Sequence, residues 1–555
     1  MSQVFSQDYI PIHYDLHLHM NKNNRTIEAL VNIQFQKIEI KKGECNLLIH
    51  SNIQIHRISQ EKVQLKYLIN GKNLKIFGDC FHLFPVTIEY SVTPLIDDQQ
   101  GFYRYDDEVI LTHFQPNDMP SLFPCYDGPE VQASFSLTIT HPSDIEALSN
   151  MQSTCCEGKN GEIVDIFEQT PPMCSYLFCI ALGHFSKIES FTKGRKVPVI
   201  FYSDSHDATH LKEYLNVACQ CIDWIEKKFK VNYQLPHLQI LAHHGFNTGM
   251  ENYGLITIPY ISNAYFQVDS ILLILHEIVH LWFGDLVSIK SWDSLWLNEG
   301  FAELLPYYIL NDLYPELDIW KYYLKKDCFS AFTLYSTGTI IKKLDELSID
   351  HEKVFSVALY SKSCFVLKMF AELISLEKFY ALCSSYLEQY KGKNVNTNDF
   401  LQYSSSFLDF DTGVFFKNWL HNIGFPVLVI DDNGNITQNS DDNSIYYFQV
   451  PIIYEYNNVI HQTNVIISQK KTKLMFQYDW IYINPNMQSL CYVVYSEALL
   501  KALVVAKKEG KINEIDINYL YKSTKALVGT SYINNSLLKL SREFSEFNSK
   551  FINYQ

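Results

Sequence analysis

Four residues, His276, Glu277, His280 and Glu299, have the types and spacing that most directly imply chemistry. They lie in the stretch DSILLILHEIVHLWFGDLVSIKSWDSLWLNEGFAE, residues 269–303. On a helix, His276 and His280 project from one face a turn apart, so a single tetrahedral zinc can take both imidazoles. Glu277, next to the first histidine, then stands beside the metal, where a general base belongs. A catalytic zinc needs a third protein ligand and an open fourth position. Glu299, with eighteen residues between it and His280, supplies that ligand, and Glu303 one turn on is the lesser candidate. Taken alone, a His-Glu-x-x-His run also arises where two histidines only pack or cap. The run Trp-Leu-Asn-Glu-Gly at this distance argues for the metal.

The elements that must hold these residues can be read outward from them. Asp269 is a good N-cap, and the apolar run from Ile271 to Phe283 predicts one buried helix stopped at Gly284. A second helix, starting near Asp293, carries Glu299. Upstream, HLKEYLNVACQCIDWIEKKF predicts an amphipathic helix with Leu215, Cys219, Ile222 and Ile225 on one face. LPHLQILAHH reads as a strand. Adjacent residues on a strand point to opposite sides, so His243 and His244 are not expected to share one zinc. From 303 to about 423 the pattern is mostly helical, and the polar run Asn394–Asp399 offers N-caps for one more helix.

Residues 1–193 read as β: Tyr14, Leu16, Leu18 and Met20 alternate onto one face, and Asn70-Gly71 marks a hairpin turn. The expected organisation is therefore multidomain α+β. It comprises an N-terminal β domain (1–193), a catalytic domain (194–425), a small β-sandwich (426–495) and a short helical C-terminal domain (496–555).

Composition narrows the function classes. The net charge of −16 argues against a nucleic-acid surface, which needs clustered Lys and Arg. No run of eighteen apolar residues predicts a membrane span, and the first residues show no secretory pattern. Thirteen cysteines, an odd number without a CxxC pair, fit free thiols in a reducing compartment, so a cytoplasmic protein is expected.

HEIVHLWFGDLV, LWLNEGFAE and the upstream Thr248-Gly249-Met250-Glu251-Asn252 together resemble the M1 family of zinc aminopeptidases, whose signature joins Gly-x-Met-Glu-Asn to HExxH-x18-Glu. Thr248 stands where the family's first glycine usually is. Thr112-His113-Phe114-Gln115-Pro116 before Phe123-Pro124-Cys125 is similar to the stretch that carries the family's substrate-binding Gln or Glu, and Met119-Pro120-Ser121 replaces its usual arginine. Tyr360-Ser361-Lys362-Ser363, with Tyr360 lying 61 residues after Glu299, resembles the stretch whose tyrosine stabilises the oxyanion.

The resemblance implies a curved N-terminal β-sheet domain, a thermolysin-like zinc catalytic domain and one zinc ion per chain. It implies that His276, His280 and Glu299 bind the metal and that Glu277 and Tyr360 are catalytic. Gln115, Gly249, Met250, Glu251 and Asn252 would then bind the substrate. The implied partner is a peptide with a free N-terminus, with neither nucleic acid nor membrane and with an oligomer possible. The short helical end implies a more open cleft than in longer members, or closure by a partner. Three alternatives stay open: an endopeptidase of the wider HExxH group, an epoxide-opening relative, and a catalytically silent scaffold that binds peptides or proteins.

Overall fold

The computed structural model describes residues 9–20, 26–38, 44–78, 81–96, 99–106, 109–262, 267–333, 338–341 and 355–544. Contacts divide the chain into two compact units. One contains residues 1–313, 343–351 and 383–400, and the other residues 314–342, 352–382 and 401–555.

The first unit begins with a mostly antiparallel nine-stranded sheet. Its order is Ser153–Glu157, Glu162–Phe167, Gln132–Pro142, Tyr9–His19, Ile27–Lys37, Val86–Val92, Ile53–Gln60 and Val63–Gln64, with Met173–Cys174 paired to Gln132–Pro142. The expected period of two is present in Tyr9–His19, where Tyr14, Leu16 and Leu18 are buried and His17 and His19 are exposed. A five-stranded sheet runs Glu146–Ser149, Ile180–Gly183, Ile110–His113, Gly101–Arg104, Leu95–Ile96.

A third sheet has four strands, Ser186–Phe191, Pro198–Ser203, Leu238–His243 and Leu255–Pro259, parallel after the first pair. Its first hairpin spans residue 193, so the expected boundary there falls inside a sheet. Tyr103, Leu111, Leu148 and Ala181 from the five-stranded sheet share one apolar core with Tyr202, Leu241 and Leu255.

Three helices complete the part of this unit that matters for the site: α1 (Lys212–Phe229), α2 (Val268–His280) and α3 (Trp296–Leu313). The N-cap of α2 is Gln267, without a side-chain cap bond, and Asp269 lies instead in the first turn, where its charge complements the helix dipole. The helix ends at His280, and Leu281 to Phe283 tighten into a turn because Leu281 and Trp282 donate three residues back. The expected end at Phe283 is thus one turn too long. A short 3-10 turn, Trp292–Ser294, precedes α3. Burial extends around α3 (Leu297, Phe301, Leu304 and Ile309 are all covered), so it is a core helix rather than a surface one.

The second unit contains the helices Ser363–Ile374 and Thr412–His421 and two small sheets. One sheet runs Lys471–Lys473, Asn435–Asn439, Val427–Ile430, Tyr492–Tyr495, and the other Val459–Ile467, Phe448–Tyr456, Trp480–Ile483. Trp419 is fully buried against Tyr446 and Phe448, with ring centroids 4.6 and 5.6 Å away. The helices Glu497–Lys508, Glu514–Ala526 and Asn535–Ser541 follow, as expected for this stretch; residues 545–555 lie outside the described residues.

Candidate active site

The site is built where α2 packs against α3. His276 and His280 face each other from successive turns of α2, their Nε2 atoms 3.0 Å apart. Glu299 in the first turn of α3 brings Oε2 to 3.3 Å from His276 Nε2 and 3.4 Å from His280 Nε2. His280 and Glu299 are almost completely buried.

Each imidazole is oriented by its other nitrogen. His280 Nδ1 donates to the Phe283 carbonyl at 3.0 Å, and His276 Nδ1 meets Glu303 Oε2 at 3.1 Å. Gly284 suits this corner: its φ of +149° is one that residues with a Cβ rarely adopt, and a Cβ there would lie a tight 3.3 Å from His280 Nδ1. Glu303, the lesser ligand candidate, therefore occupies the outer side of His276 rather than the three-residue cluster.

This donor set fits a zinc ion. With both Nδ1 atoms committed to oxygen acceptors, two imidazole lone pairs and a carboxylate oxygen converge on one point without a proton to share. A tetrahedron with metal–ligand bonds of about 2.0–2.1 Å has edges of roughly 3.3–3.4 Å, close to the three separations found.

The electrostatics agree with a pocket that calls for positive charge. Burial works against charge on both histidines, yet His276 is raised by its bonds to Glu299 and Glu303, and His280 rises to about 9 beside Glu251 and Glu299. Burial also opposes the Glu299 carboxylate, but the two histidines hold it down at about 2.

Glu277 points into the same pocket. Burial pushes its carboxyl up to about 8; the charges of Glu251 and Glu299 add to this, while His276 and His280 oppose it. Gly249 permits its position, because a Cβ at 249 would overlap the Glu277 carboxylate, 2.6 Å from its Cδ. The Gly249–Asn252 segment is fixed by pairing with the strand Leu255–Pro259. Met250 exchanges two backbone bonds with Thr257, at 2.8 and 3.0 Å. Asn252 is fully buried, accepts from the Leu255 N–H at 3.0 Å and closes the turn with its side-chain amide 3.3 Å from Thr257 Oγ1.

This turn delivers Glu251 to the pocket, where it is nearly completely buried. Burial raises its pKa, and Glu299 adds to the effect. One oxygen or nitrogen each from Glu251, Glu277 and His280 lie within 4.8 Å of one another, as do those of His276, His280 and Glu299. Gln115 donates its side-chain amide to Glu251 Oε1 at 3.1 Å. The structure thus brings together His276, Glu277, His280, Glu299, Glu251 and Gln115, with Gly249, Met250 and Asn252 as the backbone beside them.

Tyr360 belongs to the second unit, on a π-helical turn, Ala358–Lys362. Sequence reasoning passed over Gln100, whose amide donates both to the Gln115 carbonyl and, at 2.7 Å, to Asp118 Oδ2. It holds the Gln115 loop without the arginine that the resemblance led one to expect, and a glutamine pair before a glycine, Gln99-Gln100-Gly101, carries no pattern that would reveal this.

Comparison with known proteins agrees with this geometry. The Peptidase M1 N-terminal domain matches residues 10–177 and the Peptidase family M1 domain residues 213–419. Aminopeptidase 2 of Candida albicans is 27% identical over 98% of this chain and 63% of its own length. The alanine/arginine aminopeptidase of Saccharomyces cerevisiae is 27% identical over 96% and 66%. Human glutamyl aminopeptidase is 29% identical over 77% and 48%. The chain thus spans about half to two thirds of the length of these curated relatives. Two family models that together cover most of the chain, on a fold that assembles their motifs into one buried pocket, show that it belongs to peptidase family M1.

Proposed function

We propose that the chain is a zinc-dependent aminopeptidase that removes residues from the free N-terminus of peptides. The observation that carries this reading is the buried Glu251 carboxylate, braced by Gln115, in the same pocket as the His276–His280–Glu299 cluster.

Zinc held by His276, His280 and Glu299 would supply Lewis-acid polarisation of the scissile carbonyl and acidify water. Glu277 takes a proton from the attacking water and returns it to the leaving amine. The Tyr360 hydroxyl donates to the oxyanion as it develops. Glu251 accepts from the substrate's α-ammonium, and the carbonyl oxygen of Gln115 accepts beside it, because the Gln115 amide nitrogen is turned to Glu251. The Gly249–Met250 backbone lines the pocket for the first residue, with Asn252 supporting it from behind.

A peptide without a free amine brings no cation to Glu251 and leaves that carboxylate buried and unpaired, which discriminates against internal bonds. No helix among the described residues is long and apolar enough to cross a membrane. A cytoplasmic location is part of the same proposal, supported by the thirteen cysteines without paired spacing.

The test is hydrolysis of a panel of aminoacyl fluorogenic amides beside their N-acetylated twins, with and without a chelator. Cleavage of the free amines alone, abolished by chelator and restored by zinc, is the expected result. Cleavage of the blocked twins would make the protein an endopeptidase, and silence with zinc bound would make it a scaffold.

A further inference from the structure

The turn that carries Tyr360 contains a second residue with no role in the scheme above. Lys362 is completely buried, with its Nζ 2.9 Å from the backbone carbonyl of Asn422. No carboxylate pairs with this amine among the described residues, and burial alone pushes its pKa down to about 8. A buried ammonium satisfied by one neutral acceptor is unfavourable, and an apolar side chain of similar length would serve stability better. Its presence there calls for a reason other than the core.

The surrounding contacts supply one. Residues Ala358–Lys362 form a π-helical turn, an insertion that weakens a helix and is found most often where a side chain must be aimed. The turn is tied down at several points. Ser361 Oγ donates to Asp327 Oδ1 at 3.3 Å, and Asp327 lies in another π-helical turn, Leu324–Cys328. Ser363 Oγ bonds back to the carbonyls of Leu359 and Tyr360. The Lys362 acceptor is itself held: Asn422 caps the helix Thr412–His421 through its N–H to Asn418 and bonds Ser444 through its side chain.

We propose that Lys362 is a positioning residue, whose buried ammonium ties the π-helical turn to the Asn422 carbonyl and so fixes the direction of the Tyr360 hydroxyl. This rests on the oxyanion role of Tyr360 given above. The turn would otherwise relax toward regular α-helix, and the tyrosine would rotate with it. A tether to a neutral carbonyl keeps the geometry without adding a charge that competes for the Tyr360 proton.

The experiment places Lys362→Met in the wild-type chain and in a Tyr360→Phe background, with kcat, KM, zinc content and Tm measured on all four proteins. In the wild-type background kcat should fall on the order of ten- to a hundred-fold, as for a small misplacement of a catalytic group. KM and zinc content should stay put, and Tm should be unchanged or higher. In the Tyr360→Phe background Lys362→Met should cost nothing more, because the group it positions is gone. An unchanged kcat in Lys362→Met, an equal loss in both backgrounds, or a fall in Tm that accounts for the lost activity would each overturn the proposal. A normal rate in Tyr360→Phe itself would remove the premise, and that result is visible before the lysine is touched.

Discussion

Two of the places in the first unit where histidine is buried beside carboxylate do opposite things with it. In the nine-stranded sheet, His141 and Asp165 form a closed pair. His141 Nε2 lies 2.7 Å from Asp165 Oδ2, its Nδ1 lies 2.8 Å from the Pro142 carbonyl, and the second Asp165 oxygen accepts from Ser153 at 2.7 Å. Each nitrogen faces one acceptor, so an imidazolium with a proton on each nitrogen completes the set. In the α2–α3 pocket, His280 and Glu299 are buried as deeply and both Nδ1 atoms meet oxygen acceptors, but two Nε2 atoms and a carboxylate oxygen converge. One proton cannot serve three acceptors arranged as a triangle; a cation at its centre can. The lesson is that burial does not distinguish a metal site from a structural ion pair. The count and direction of the acceptors do.

The sharpest way to break this comparison is at Glu277, which belongs to the pocket yet binds no metal in this account. Glu277→Gln should lower kcat by about 10²–10⁴-fold with one zinc retained. Retained turnover would move the base elsewhere. Next in size is the outer carboxylate. Glu303→Ala frees the His276 ring, and zinc affinity, measured against a chelator of known strength, should drop by about 10–100-fold. An unchanged affinity would mean that the Nδ1 bond does not orient the ligand.

The closed pair should instead show itself in stability. Burial opposes charge on His141, but the Asp165 hydrogen bond and the Pro142 carbonyl outweigh it and raise its pKa. A raised value means that the folded state holds the proton more tightly, so the pair's contribution is complete below pH 6.5 and is lost as pH rises through the native value. The gap in urea midpoint between wild type and His141→Gln should therefore narrow from pH 6 to pH 9; a gap independent of pH would contradict the closed-pair description. Smallest of all is the surface control. His19, half exposed and 3.0 Å from Glu162, should tolerate alanine within about 0.5 kcal/mol with unchanged zinc binding.

Much of the site was legible because its chemistry is encoded at short range. Helical spacing alone put His276 and His280 on one face, and the distance to Glu299 is set by one turn and one helix start. The role of Glu303 was not legible, because i,i+4 spacing from Glu299 cannot say which ring nitrogen a carboxylate meets. The end of α2 was misread by a turn because apolar residues continue through Leu281–Phe283; what stops the helix is backbone bonding back three residues, to which hydropathy is blind. The strand Tyr9–His19 followed its period of two, whereas Ile180–Gly183 and Leu238–His243 are buried on both faces and do not alternate. The hairpin across residue 193 did not show, since a change of pattern from β to α/β looks like a boundary even where hydrogen bonds cross it. Gln100 and the tether from Lys362 to Asn422 depend on partners 15 and 60 residues away, and no local pattern records such contacts.

Zinc stoichiometry by equilibrium dialysis, on the wild-type protein beside Glu277→Gln and Glu299→Ala, tests the account at its centre. One zinc per chain in the first two and none held by Glu299→Ala is the predicted result. Zinc held as tightly by Glu299→Ala as by the wild type, or no zinc in any of the three, would contradict the assignment of His276, His280 and Glu299 as the metal site.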